Sequence, residues 1–435
     1  MRVLVVSSSS FSDTGNNGKT LCSLFSNLKS RDIAQLYFGT NEEPYVEFCD
    51  NYYRITETDI LKSLFNFSYS VRNSHNALVS SINSGTHKEA WWFRILKRYE
   101  KKIRLIREAL WKLNTWDTQE LDAWIKEFNP DIVFALLGSS MHVHNIAIRL
   151  SERYNLPLFT YFTDDYVINS TAKGVVEKIH YRLLCKQYKK TIRRSSRAYV
   201  IGEKMQKDYS EMYSKPFGVL GNCIDMDKYS HIYPCKIEKS EPIIISYMGA
   251  LHSNRWVSIS KLGNIVKEIN GEYGYQMYIK VFSTATPSKE IIASFEKSGV
   301  EFCGGLDSSG VIAQMERSHF LLHVESFDEV NRTYVKYSIS TKISEYLSSS
   351  RGIMAYGPHE VASMELLCKN GFGCGLTDLD SHDEIKKKIY EAIEGYNNHD
   401  YSLSKQYVIQ NYNKEMVSQR LIKEMSDSIQ QRERM

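Results

Sequence analysis

Four stretches of the chain carry side chains suited to an anion, a sugar hydroxyl or a proton. In Ser338-Ile-Ser-Thr-Lys342 the hydroxyls of Ser340 and Thr341 and the Lys342 ammonium precede an apolar helical pattern at residues 343–347. The free N–H groups and positive dipole end of such a helix start attract anions. Glu345, one turn further in, can accept hydrogen bonds from a pair of vicinal hydroxyls. The same residues also suit a capped surface helix. Arg255 lies in the loop after the apolar run Ile243–Met248, and Gly249 in that loop leaves room for a ligand to approach the backbone. A guanidinium there would offset charge building on a leaving phosphate; a plain surface arginine is the alternative. Asp164 and Asp165 follow the run Phe159-Thr-Tyr-Phe162, where either carboxylate could take a proton from an attacking hydroxyl or cap a turn. Glu325, in His323-Val-Glu-Ser-Phe327, could reach the same region from the end of its own strand. His142 and His144 fall on a helix and read as packing or surface residues.

The elements that must position these groups alternate. Residues 2–6, 35–38, 131–136, 158–162 and 198–201 are short apolar runs, most of them followed by patterned helices such as 142–154 and 203–213. The pattern restarts with 243–248 and continues through 278–282, 320–324 and 352–356. Val/Ile/Leu-rich strands alternating with helices imply parallel sheets covered on both faces. Two such doubly wound units make an α/β protein with ligands at the carboxyl ends of the strands. The expected boundaries are a first domain over 1–225, a linker over 226–241 that contains Pro234, a second domain over 242–403 and a helical segment over 404–435.

A chain of 435 residues suits two domains, and 42% apolar with 24% charged residues excludes a disordered chain. A net charge of +4 is too small for a protein that coats nucleic acid. The eight cysteines contain no C-x-x-C spacing, which argues against a zinc site or a disulfide framework and suits a reducing cytosol. The opening Met-Arg-Val-Leu-Val-Val reads as a strand rather than a signal peptide, and no apolar run approaches the roughly 18 residues needed to span a bilayer. Charge is uneven, however. Residues 88–112 hold nine basic and three acidic residues, with Trp92, Leu96, Tyr99, Ile103, Ile106 and Leu110 along one helical face. Residues 178–197 hold eight basic residues and no acidic one. The first stretch suits either an anionic membrane surface or a packed helix with a basic outer face; the second reads more simply as a packed helix.

Three passages together resemble the retaining family of GT-B glycosyltransferases that includes sucrose synthase and bacterial capsule and lipopolysaccharide enzymes. They are Asp13-Thr-Gly-Asn-Asn-Gly-Lys-Thr20, Tyr247-Met-Gly-Ala-Leu-His-Ser-Asn-Arg-Trp256, and Tyr337-Ser-Ile-Ser-Thr-Lys-Ile-Ser-Glu-Tyr-Leu347 with Arg351-Gly-Ile-Met-Ala-Tyr-Gly-Pro358. Asn222-Cys-Ile-Asp225 and residues 404–429 resemble the family's domain closure and its crossover back to the first domain. The resemblance implies two Rossmann-like domains facing a central cleft, and transfer of a sugar from a nucleoside-diphosphate sugar without metal or other cofactor. It implies donor contacts from Gly249, Arg255, Ser340, Thr341, Lys342 and Glu345, the last as the second glutamate of an E-x7-E motif. Asn17, Gly18, Glu325 and Tyr337 become candidate sugar or acceptor contacts. Tyr337 stands where the motif's first glutamate is expected, and Thr163-Asp164-Asp165 stands where many members have a histidine. The acceptor implied is a glycan or a lipid-linked glycan of bacterial surface polysaccharide synthesis, met in the cytoplasm at the inner, anionic face of the plasma membrane. An inactive nucleotide-sugar-binding module and a sugar-nucleotide epimerase are the alternatives on the same fold.

Overall fold

The computed structural model describes residues 1–13, 16–39, 44–65, 100–169, 172, 174–238 and 240–433. The chain divides into two compact units, Met1–Leu220 with Val417–Met435, and Gly221–Met416.

Among the described residues the first unit has seven parallel strands: β1 (Val3–Ser7), β2 (Ile33–Tyr37), β3 (Tyr52–Arg54), β4 (Ile132–Leu137), β5 (Leu158–Phe162), β6 (Arg197–Val200) and β7 (Gly218–Val219). Their order is β3-β2-β1-β4-β5-β6-β7. Val3 pairs with Ile33 on one side and Ile132 on the other, so the winding direction reverses between β1 and β4. Every residue of β1, β2, β4 and β5 is buried, because helices cover both faces. One buried polar side chain fixes the loop after β1: Gln35 accepts from the Phe11 N–H at 2.8 Å and donates to Ser7 Oγ at 2.9 Å.

The second unit has six parallel strands: β8 (Ile243–Met248), β9 (Met277–Phe282), β10 (Val300–Phe302), β11 (Phe320–Val324), β12 (Gly352–Tyr356) and β13 (Cys374–Leu376). Their order is β10-β9-β8-β11-β12-β13, with the reversal between β8 and β11. Ile245, Ile259, Leu262, Leu322 and Met354 form part of its core.

Residues 226–241, which lack periodicity, are tied into this second unit. Met226–Tyr229 forms a short 3-10 helix, Cys235 and Ile237 pack against the core, and the Ile237 N–H donates to Asn397 at 2.8 Å. Residues 404–429 do not form one helix. Ser402–Asn411 and Lys414–Glu433 are separate helices, because the Asn413 side chain accepts from the N–H groups of Glu415 and Met416 and starts a new one. Asn413 also bridges to Ile224, beside the Lys414–Asp225 ion pair at 2.8 Å. Among the described residues no helix is long and apolar enough to cross a membrane. Of the basic stretch 88–112, residues 88–99 lie outside the described residues; Glu100–Trp111 is a helix whose Glu108 and Trp111 are buried.

Candidate active site

The reversal between β8 and β11 places two loops side by side at the carboxyl end of the second sheet, where doubly wound folds bind ligands. The loop after β8 ends in two consecutive left-handed residues, Ser253 (φ 57°) and Asn254 (φ 58°), an uncommon and costly conformation for non-glycine residues. It delivers Arg255 as the first residue of the helix Arg255–Tyr273. Glu325 follows the last residue of β11. The two meet across 70 positions of sequence: Arg255 Nε and Nη2 lie 3.1 and 2.9 Å from Glu325 Oε2, and Nη2 lies 3.2 Å from Oε1. Glu325 is only 4% exposed. Burial raises its carboxyl above the ordinary glutamate range, and the Arg255 charge opposes that rise. His323, two residues back on the same face, bonds Ser363 Oγ at 2.9 Å and is held neutral by burial, its pKa lowered to about 3. Gly249 is packed on Tyr247, whose hydroxyl would lie 3.1 Å from an added Cβ and donates to the Ala250 carbonyl at 2.7 Å.

The helix Thr341–Ser348 approaches the same region. Ser340 is its N-cap, with Oγ accepting from the Lys342 N–H at 3.3 Å. Lys342 Nζ lies 2.8 Å from Glu345 Oε2, and burial together with the nearby Glu345 carboxylate raises the Tyr229 phenol. Asn222 donates to the Ile339 carbonyl at 2.8 Å, just ahead of the cap. Tyr346 is buried, and the Met248 backbone acts on its hydroxyl, which brings this helix near the end of β8. Tyr337 behaves differently from its neighbours. It is 2% exposed with the Lys336 ammonium 5.5 Å from its ring centre, a packed side chain.

In the first unit Asp165 organises the loop after β5. Its Oδ1 accepts from the N–H groups of Val167 and Ile168 at 3.0 and 2.9 Å and from the Tyr209 hydroxyl at 2.9 Å; Oδ2 accepts from the Asn169 N–H at 3.1 Å. Four donors commit this carboxylate to structure. Asp164 is half-buried and accepts from Thr163 Oγ1 at 3.3 Å. Gly18, in the helix Asn16–Leu24, has a packing reason: an added Cβ would come 2.5 Å from Ser12 Cβ and 2.7 Å from the Ser10 carbonyl. Asn17 lies beside it in the first turn. The helix Met141–Arg153 starts at the carboxyl end of β4, but Glu108 already occupies its anion-attracting end, accepting from the Met141 and His142 N–H groups at 3.1 and 3.0 Å. Burial alone would raise the Glu108 carboxyl; its bonds to His142 and Met141 and the Arg107 charge hold it below the ordinary range. His142 stacks on Trp111 at 4.3 Å. His144 is fully buried between the Gly138 carbonyl and Thr191, and burial lowers its pKa to about 4.

Sequence reasoning missed Tyr229, the bond of Asn222 to Ile339 and the Arg255–Glu325 contact, because each partner comes from a distant segment. It also missed His359, Glu360 and Asp378, whose ligand-type atoms cluster beyond β12 and β13. Arg332 donates to Glu360 at 2.8 and 2.5 Å and to Asp378 at 3.0 Å, so a guanidinium already supplies the positive charge there.

Two parallel doubly wound sheets, each with its reversal in the middle, define the chain as a GT-B fold. No family model matches the sequence, and no curated protein matches it. Among solved structures it is similar to a UDP-forming α,α-trehalose-phosphate synthase from Burkholderia xenovorans in complex with glucose-6-phosphate, at 8% identity and TM-score 0.57 over 98% of this chain and 100% of that one. It is also similar to WaaG, a glycosyltransferase involved in lipopolysaccharide biosynthesis, at 11% identity and TM-score 0.55 over 96% and 98%. A trehalose-6-phosphate structure from E. coli bound with UDP-2-fluoro glucose matches at 11% identity and TM-score 0.54 over 97% and 98%.

Proposed function

We propose that this protein is a glycosyltransferase that moves a sugar from a nucleoside-diphosphate sugar to a hydroxyl of a glycan or lipid-linked acceptor. The observation that carries the proposal is the Arg255–Glu325 pair at the β8–β11 reversal, supported by a Ser340-capped helix of the same unit that presents Lys342 and Glu345. A nucleoside diphosphate needs cations and N–H donors for its phosphates and an acceptor for its ribose. Arg255, Lys342 and the start of the helix supply the first, with Ser340 and Thr341 adding hydroxyls, and Glu345 supplies the second. The guanidinium carries five donors in a planar fork, of which the Glu325 pair uses the Nε–Nη2 edge. These charges meet the diphosphate without requiring a metal ion. Gly249 lets the donor approach the backbone, and Glu325 is placed to contact the sugar.

In the proposed reaction the acceptor oxygen bonds to the anomeric carbon as the bond to the diphosphate breaks. The electron pair leaves with the diphosphate, whose charge Arg255 and Lys342 stabilise. The hydroxyl proton is taken up by Asp164, with the departing diphosphate assisting; Asp165 holds the loop. Asn17 and Gly18 line the acceptor side, and the anomeric configuration is retained. The match to WaaG, a glycosyltransferase involved in lipopolysaccharide biosynthesis, supports a role in bacterial surface polysaccharide synthesis, which the proposal sets in the cytoplasm.

Incubation with a panel of nucleotide sugars and glycan acceptors tests this reading. Release of nucleoside diphosphate with transfer is expected. Donor binding without turnover would make the protein an inactive binding module, and isomerisation of the sugar without transfer would make it an epimerase.

A further inference from the structure

The helix Val175–Arg194 of the first unit has an unusual outer surface. Ten of its side chains are exposed: Val175, Ile179 and Leu183, and seven bases, Lys178, Arg182, Lys186, Lys189, Lys190, Arg193 and Arg194. At 3.6 residues per turn all ten fall within one arc of roughly 160°. His180, Leu184, Tyr188, Thr191 and Ile192 are buried against the unit on the opposite side. No exposed side chain of the helix is acidic or neutral polar. Val175, Ile179 and Leu183, spaced four apart, are 76%, 44% and 37% exposed and form an aliphatic row among the cations. Single exposed aliphatic residues are ordinary. Arg194, at the end of the helix, pairs with Glu152 at 3.0 Å; a row of three aliphatic residues among bases, with no acid exposed on the helix itself, is still not what a solvent-facing helix requires, since mixed signs would stabilise it better.

We propose that this helix face is a docking surface for an anionic lipid bilayer, with the aliphatic row entering the headgroup–acyl boundary and the bases pairing with lipid phosphates. Charge complementarity selects this occupant: seven bases call for a dense anionic surface, and the aliphatic row among them calls for an apolar layer directly beneath it. The helix Glu100–Trp111, the described end of the other basic stretch, packs against this one. The simpler reading of 178–197 as a packed helix with a basic back therefore accounts for its buried face and not for its exposed one. The inference rests on the surface of the helix alone and deepens the lipid-facing acceptor reading above without depending on the donor site.

The test is flotation of the full chain with vesicles of neutral phosphatidylcholine or of phosphatidylcholine containing phosphatidylglycerol, at low and high salt. Each base near an anionic surface contributes about fivefold to partitioning, so K178Q/R182Q/K186Q/K189Q is expected to lose about a hundredfold or more. V175S/I179S/L183S is expected to lose at least about tenfold with the charge unchanged. A control removing four exposed lysines of the second unit, K261Q/K289Q/K297Q/K369Q, is expected to keep full binding. Melting curves and nucleoside-diphosphate titration of every variant separate a failure of docking from loss of the fold or of the donor reading. Binding that fell with the basic variant but ignored the aliphatic one would overturn insertion and leave a general polyanion patch. No binding, or a dimer in solution that V175S/I179S/L183S dissolves, would assign the face to another occupant and overturn the proposal.

Discussion

Removing Arg255 strips the buried Glu325 carboxylate of the cation that Nε and Nη2 bring to about 3 Å. Breaking a buried pair from one side costs roughly 3–5 kcal/mol, because the remaining charge stays desolvated. The Glu325 side chain is 5% exposed, whereas that of Arg255 keeps 18%, which places Arg255→Ala near the lower bound, about 3 kcal/mol at neutral pH. That is a large share of a typical domain's stability. The cost depends on pH. Burial already holds the Glu325 carboxyl above its ordinary range, and loss of the guanidinium raises it further. Between the ordinary glutamate value and that raised one, the folded state binds more protons than the unfolded state, so stability falls as pH rises. Each pH unit of acidification across that window restores about 1.4 kcal/mol, and the electrostatic penalty vanishes below the ordinary value. Urea unfolding of Arg255→Ala at several pH values between 4 and 8, alongside the wild type, reads this directly. The double variant Arg255→Ala/Glu325→Gln should recover part of the loss at neutral pH and show a flatter dependence. A deficit equal at all pH values and untouched by Glu325→Gln would refute the argument and reduce Arg255 to a packing residue.

Glu345→Gln and Lys342→Ala should each weaken nucleoside-diphosphate binding by ~1–3 kcal/mol in calorimetry while leaving the melting temperature nearly unchanged. Asp165→Ala orphans three backbone N–H groups and the Tyr209 hydroxyl and should cost about 2–4 kcal/mol in denaturant unfolding, whereas Asp164→Ala should keep stability and abolish transfer. Glu108 has its carboxyl lowered, so its contribution is present above the ordinary glutamate value and lost as pH falls through the lowered one; the stability gap between wild type and Glu108→Gln should be wide at neutral pH and close in acid. Proton NMR of the transfer product should show a retained anomeric configuration, and an inverted one would overturn that part of the reaction scheme.

Among the described residues, nine of the thirteen strands are visible in the sequence as apolar runs, several with the same ends, such as Leu158–Phe162 and Phe320–Val324. The four that are not, β3, β7, β10 and β13, are the four edge strands. They have two or three residues each and are not buried throughout, so no apolar run or alternation marks them. The candidate site divides the same way. Ser340–Glu345 is local, a cap and a turn of helix, and its chemistry can be read from adjacent residues. The Arg255–Glu325 pair and the approach of Tyr229 to Glu345 join segments far apart in the chain, and nothing in either segment alone announces its partner. Asp164 and Asp165 look equivalent in sequence; only the placement of Tyr209, 44 residues away, and the turn at Val167–Asn169 distinguish them.

The central claim is that the β8–β11 reversal binds the diphosphate of a nucleotide sugar. Saturation-transfer NMR on the full chain with uridine, guanosine, adenosine and cytidine diphosphate sugars tests it most directly. The account predicts that at least one of these donors shows transfer to its base and ribose protons, displaced by the matching nucleoside diphosphate and abolished in Arg255→Ala/Glu345→Ala. Absence of transfer to every donor, or a signal that survives in the double variant, would contradict it.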